Sequence, residues 1–210
     1  DQRAYLTRPH ATRSWADIAY DRLRLLGRTL HVTIDVSNTG CGCNAALYLV
    51  SMREPLPSGS SYCDIQAADP RRCLEIDLFE GNLKSAVATL HTQKGKAADG
   101  TCNQWGCAAG WGPADENCKF GRGSPNVDSS RPFELSAHFD GEGHMEIAIT
   151  QDGQRRQLWD VASAGNGASA VPEDASIRVK AALTEGMVLV ASLWGAEGSG
   201  MSWLDGGCSA

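Results

Sequence analysis

Apolar residues along this chain recur most often at every second position, the spacing of a strand that buries one face. In HVTIDV (31–36) Val32, Ile34 and Val36 alternate with His31, Thr33 and Asp35; in NAALYLVSM (44–52) Asn44, Ala46, Tyr48 and Val50 alternate with Ala45, Leu47 and Leu49. FELSAHF (133–139), HMEIAITQ (144–151) and QRRQLWDV (154–161) are separated by Asp140-Gly141 and Asp152-Gly153. Asp-Gly pairs supply the positive φ that tight hairpin turns demand, so these runs predict a three-stranded meander. GMVLVASLW (186–194) predicts another strand with few polar positions. Segments 53–72, 94–132 and 162–174, rich in Gly, Pro, Ser and Asp, predict loops, and only SIRVKAALTE (176–185) has helical character. Many strands and little helix predict an all-β chain, a sandwich or a barrel.

Composition narrows the setting. The 210 residues, 42% hydrophobic and 21% charged, suffice for a sizeable core, and a single domain over 1–210 is expected. A net charge of -6 argues against a nucleic-acid partner, whose binding needs clustered Lys and Arg. No run of about 18 apolar residues predicts a membrane span. The start DQRAYL lacks the pattern of a signal peptide, which leaves a mature secreted chain or a cytosolic one. Eight cysteines, an even set over loop-like sequence, suit disulfides and so favour secretion. The close pairs CGC and CNQWGC fit a zinc site poorly, and neither metal nor cofactor is expected.

The run EIDLFE (75–80) concentrates three carboxylates in an otherwise apolar strand. On a regular strand Glu75 and Asp77 share a face and Glu80 points the other way. A β-bulge near Leu78-Phe79 would return Glu80 to the face of the other two, and bulges are common beside active sites. Crowded like charges raise at least one pKa, as a general acid working near neutrality requires. Two carboxyl groups about 5–5.5 Å apart equip a retaining glycosidase, one attacking the anomeric carbon and the other protonating the leaving oxygen. A solvated acidic face or a calcium loop is the plainer reading of these residues alone.

The run DVSNTGCGCNAALYLVSM (35–52), SYCDIQ (61–66), CLEIDLFEGN (73–82) with His91 beyond it, and GMVLVASLWGAEGSGMSWLD (186–205) resemble, in this order, glycoside hydrolase family 7, the fungal cellobiohydrolases and endoglucanases. The resemblance implies a concanavalin-like β-sandwich, a jelly roll of two curved antiparallel sheets with an open cleft on the concave face. By position, Glu75 matches the nucleophile, Asp77 the acid that positions it, Glu80 the acid/base, and His91 a histidine that supports the acid/base. Asn44, Tyr48, Tyr62, Asp64 and Gln66 match positions that contact sugar or support the catalytic groups. Trp194 and Trp203 match the platforms before and after the scissile bond. A flat indole suits the axial C–H face of a β-glucosyl ring. Cys41 with Cys208, Cys63 with Cys73, and Cys102 with Cys107 match pairing positions of the family, and Cys43 with Cys118 is paired by subtraction.

Without the family, Tyr48 and Trp194 read as packed strand aromatics and His91 as a surface or core histidine. Trp105 and Trp111, in a Gly-rich loop, are candidates for bordering the cleft. Trp15 and Trp159 have no matched role, and Asp35 and Asp205 are expected to be structural. The chain departs from the family in its shortness, which removes the loops that roof the cleft, in Gly195 where an acidic residue is expected, and in Phe79 where a Trp is expected. The sugar-gripping arginines have no clear counterpart beyond Arg122. The expected activity is that of a secreted, monomeric, retaining endo-β-1,4-glucanase acting on a polysaccharide. The alternatives are a β-1,3- or mixed-linkage glucanase, a xylanase, more remotely a polysaccharide lyase, and outside enzymes a lectin-like carbohydrate-binding protein. A lectin would keep Trp194 and Trp203 but has no need of Glu75, Asp77 and Glu80 together.

Overall fold

The computed structural model of the protein describes residues 2–9, 14–66, 73–92, 102–112, 119–160, 173–196 and 200–206. Its strands are β1 (Gln2–Tyr5), β2 (Arg22–Leu23), β3 (Arg28–Ile34), β4 (Cys43–Val50), β5 (Glu75–Gly81), β6 (Ala86–His91), β7 (Cys107–Trp111), β8 (Phe120–Gly121), β9 (Val127–Asp128), β10 (Phe133–Phe139), β11 (Met145–Gln151), β12 (Gln154–Trp159) and β13 (Met187–Gly195), with helices α1 (Glu173–Glu185) and α2 (Ser202–Asp205). The larger sheet has the order β1-β13-β4-β5-β6-β7, with β2 also on β13, and the smaller has β12-β11-β10-β3. Both are antiparallel, and β8 with β9 forms a short parallel pair apart from them.

Alternation makes each sheet one-sided, and the apolar sides face each other. Leu49 of β4, Ile76 of β5 and Leu90 of β6 pack with Leu135 of β10 and with Ile147 and Ile149 of β11 in one core. Each side chain so buried contributes about 1.5–3 kcal/mol. Helix α1 turns Ala175, Val179, Ala182 and Leu183, a single helical face, into the same core. The result is an open β-sandwich and not a closed barrel, as the larger sheet ends on β1 and β7 and the smaller on β12 and β3. No helix among the described residues is long and apolar enough to cross a membrane.

Several expectations meet a different outcome. The Asp152-Gly153 turn is as predicted, with φ of 52° and 74° closing Gln151 onto Gln154. Asp140-Gly141 is not a tight turn. The hairpin closes at Phe139 and Met145, Gly143 rather than Gly141 takes positive φ, and Asp140 Oδ1 accepts the N–H groups of Glu142 and His144. The predicted loop 94–132 contains β7, β8 and β9. In β7 the sequence CAAGW carries almost no strand propensity, but close pairing along β6 requires small residues: a Cβ on Gly110 would lie 2.6 Å from Ala86 O.

The cysteines divide. Cys63 bonds to Cys73 and Cys102 to Cys107. Cys41 is disulfide-bonded, but Cys208 lies outside the described residues and with it the expected pairing. Cys43 is a free thiol, which corrects the pairing with Cys118. Subtraction carries no geometry, whereas a bridge requires two Cβ atoms to converge within about 4.5 Å.

Candidate active site

The outer face of the larger sheet carries a cleft of ≈ 710 Å³ lined by residues that point away from the core. Its centre is β5, where alternation breaks. Against β4 the partners run Val50–Glu75, Leu49–Ile76 and Tyr48–Asp77, then Leu47–Phe79 and Ala46–Glu80, which leaves Leu78 opposite nothing. Leu78 is thus the extra residue of a bulge. Leu78 and Phe79, adjacent in sequence, are both buried in the core at 0% and 1% exposure. Their burial holds the change of phase, and Glu75, Asp77 and Glu80 all line the cleft as a result. Phe79 therefore points away from the cleft, onto Phe133 at 5.6 Å. A Cβ on Gly81 would come within 2.5 Å of the Phe79 ring, so the bulge also requires a glycine after Glu80.

Burial, more than mutual repulsion, sets the protonation of this cluster. It raises the Glu75 pKa well above the ordinary carboxylate range, with the charge of Asp77 adding and His91 and the Ile65 N–H opposing. Burial and then the charge of Asp64 push Asp77 to about 8. Burial and then the charge of Asp77 push Glu80 to about 8, against a hydrogen bond from Asn44.

Each carboxyl has its own support. The Cys63–Cys73 bridge ties the segment before it to the start of β5, and there the Ile65 N–H donates to Glu75 Oε2 at 3.1 Å. Asn44, fully buried on β4, accepts from the Gly81 N–H at 3.0 Å and so aims its amide N–H at Glu80 Oε1, 2.8 Å away. His91 Nδ1 donates to the Asn103 carbonyl at 2.9 Å, which leaves Nε2 facing Asp77 Oδ2 at 3.1 Å. The hydrogen bonds of His91 thus go to Asp77 and the backbone, and it acts on Glu80 only through charge.

The sugar-contact candidates gather in the same cleft. Tyr48 and Tyr62 bond through their hydroxyls at 3.1 Å, and burial raises both phenol pKa values, so both remain protonated. Asp64 Oδ1 is buried without a partner among the described residues, an acceptor that a sugar hydroxyl would satisfy. Gln66 lines the cleft and donates to the Gln104 carbonyl. Trp194 and Trp203 stack with ring centroids 6.2 Å apart and planes at 21°. They form one continuous aromatic wall at this end of the cleft. Asp205 of α2 accepts from the Gly42 N–H at 2.9 Å and from Asn82, which seats Trp203 beside the sheet and makes Asp205 structural. Gly195 leaves no room for an acidic side chain, since a Cβ there would lie 2.5 Å from Gly42 O.

Of the unassigned aromatics, Trp105 lines the cleft and Trp111 is core. Trp159 is core with its N–H on the Cys107 carbonyl, and Trp15 packs edge-on against Tyr5. Arg122 is exposed and does not line the cleft. Sequence reading missed Arg3, whose Nε–H donates to the Tyr48 hydroxyl at 3.1 Å while its guanidinium lies 3.7 Å from the Tyr62 ring centroid. The edge strand QRAY is too short and too polar to signal it.

No family model matches the chain. In sequence it is 30% identical to endoglucanase EG-1 of Hypocrea jecorina, over 91% of this chain and 48% of that protein, so it spans about half the length of this curated relative. In structure it is similar to the Humicola insolens endocellulase EGI, with a TM-score of 0.66 at 26% identity, over 91% of this chain and 62% of that one. It shares the fold of a GH7 family cellobiohydrolase from Daphnia pulex, with a TM-score of 0.65 at 20% identity, over 89% of this chain and 61% of that one. Alike in sequence to a fungal endoglucanase and in fold to a family 7 enzyme over nine-tenths of its length, with the bulged carboxylate strand at the centre, the chain is similar to the enzymes of glycoside hydrolase family 7.

Proposed function

We propose that this chain hydrolyses internal β-1,4-glucosidic bonds of cellulose-like glucans with retention of configuration, as a secreted, monomeric, single-domain enzyme. The observation that carries the reading is the bulge at Leu78, which gives one open cleft a buried carboxyl cluster instead of a split pair. In the first step a carboxylate oxygen of Glu75 attacks the anomeric carbon while the Glu80 carboxyl protonates the leaving glycosidic oxygen. Glu80, now ionised, then takes a proton from water, which attacks the glycosyl ester and frees Glu75. The Ile65 N–H favours the ionised form of Glu75, and a protonated Asp77 bonded to His91 would spare Glu75 a neighbouring negative charge. Asn44 steadies the Glu80 carboxylate formed after the first step. The names of the relatives, endoglucanase and endocellulase, support attack within the chain, and disulfides such as Cys63–Cys73 and Cys102–Cys107 support an oxidising compartment.

The test is product analysis on soluble β-1,4-, β-1,3- and mixed-linkage glucans and xylan. The β-1,4-glucan should lose viscosity before much reducing sugar appears, and NMR should show the β-anomer first. Glu75→Gln should fold and bind yet lose at least about 10³-fold in turnover, since it removes an interaction made in the transition state. An α-anomer as first product would refute the double displacement, and inactivity on every β-1,4-glucan would refute the substrate.

A further inference from the structure

The geometry points to Trp105 as a second sugar platform, at the end of the cleft opposite the Trp194–Trp203 wall, so that a productive glucan must reach across β5 to touch both. This rests on the glucan reading above and adds to it a residue that fixes how long a bound segment must be. Trp105 is the most exposed large hydrophobic side chain among the described residues, at 74%, and it lines the cleft. Single exposed apolar residues are common and need no explanation. The mount of this one sets it apart.

The turn that carries Trp105 is fixed on every side. The Cys102–Cys107 bridge closes it over a separation of 5 residues. The Trp105 N–H donates to Asn103 Oδ1 at 2.8 Å and the Gly106 N–H to the Asn103 carbonyl at 2.9 Å. Gly106 has φ +74°, and a Cβ there would lie 2.1 Å from Thr89 and 2.7 Å from His91. His91 Nδ1 donates to the Asn103 carbonyl and Gln66 to the Gln104 carbonyl. The backbone on both sides of Trp105 is thereby pinned to residues that flank the carboxylates, while the indole is left uncovered. A rigid backbone under a free flat ring loses little entropy when a ligand stacks on it. The ring suits the C–H face of a pyranose, as the opposite wall does.

The location sets the ligand. Trp194 sits on β13 and Trp105 just before β7, with β4, β5 and β6 between. That is four strand steps, about 19 Å at about 4.8 Å per step. The carboxylates of β5 lie inside this span, so a bond broken there leaves sugar on the Trp194 side and sugar on the Trp105 side. A disaccharide is too short to reach both walls. A β-glucan segment several rings long is not.

Binding in the inactive Glu75→Gln protein separates this proposal from the reading it rests on. Titrated calorimetrically with β-1,4-gluco-oligosaccharides of increasing length, that protein should bind long oligomers more tightly than short ones. Adding Trp105→Ala should weaken the long oligomers roughly tenfold, a factor that corresponds to about 1.4 kcal/mol, and leave the shortest unchanged. Trp105→Phe should recover most of the loss. Equal affinities with and without Trp105 at every length would overturn the platform and leave the glucan reading intact. Equal weakening at every length would overturn it too, by making the effect structural. Failure of the Trp105-containing protein to bind any oligomer would overturn the substrate class first.

Discussion

The contact between His91 and Asp77 admits a proton on either side. Nδ1 of the ring must carry hydrogen because its partner, the Asn103 carbonyl, only accepts, so Nε2 can receive from Asp77 or donate to it across 3.1 Å. Asp77, pushed to about 8 by burial and by Asp64, holds that proton readily. In His91→Asn the charge of the ring, which lowers the pKa of both Glu75 and Glu80, is gone. Both limbs of the pH profile of kcat/KM should then move to higher pH, by on the order of one unit. A shift of the alkaline limb alone would mean that His91 acts on Glu80 directly, as the family resemblance suggests and the hydrogen bonds do not.

At the scale of the element, β5 depends on a residue count and not only on residue types. Leu78→Ala keeps the count, so Glu80 should stay in the cleft and activity well below the melting temperature should remain within a few-fold. Stability should fall by about 2–5 kcal/mol, the usual cost of emptying a buried leucine, as read by denaturant unfolding. A folded but inactive Leu78→Ala would show that the leucine side chain, and not the extra residue, sets the phase. The bulge was legible because the spacing of Glu75, Asp77 and Glu80 makes sense on one face only if a residue is added. The strands β4, β10, β11 and β13 were legible because one face of each is apolar. β7 was not, because CAAGW is selected for closeness to β6 and alternation records burial, not approach. The support that Arg3 gives Tyr48, and the contact of His91 with Asp77 instead of Glu80, depend on which strands become neighbours, and periodicity within a strand carries no such information.

The whole molecule should register the carboxylate cluster in its stability. Glu75, Asp77 and Glu80 have folded pKa values raised above the ordinary 4.5 for Glu and 3.8 for Asp, with Asp77 and Glu80 near 8. The native state therefore keeps protons that the unfolded chain releases. For such groups the contribution to stability is fully present below the unfolded pKa and is lost as pH rises through the folded one. The slope is up to about 1.4 kcal/mol per pH unit for each extra proton held. At the acid end other carboxyls act in reverse. Asp128, held at about 2 by its hydrogen bonds to Ser130 and Gly123, and Asp140 and Asp152, also lowered, give up their contribution as pH falls. The melting temperature should accordingly be highest near pH 4.5 and fall steadily toward pH 8. Glu80→Gln, which cannot ionise, should flatten that decline, and its advantage over the parent should grow with pH. A melting temperature that is level or rising between those limits would mean that the cluster is solvated and its carboxyls ordinary. One of the protons lost along this slope is the one that Glu80 has to donate to the leaving oxygen, so toward pH 8 the fold should weaken and the reaction slow together.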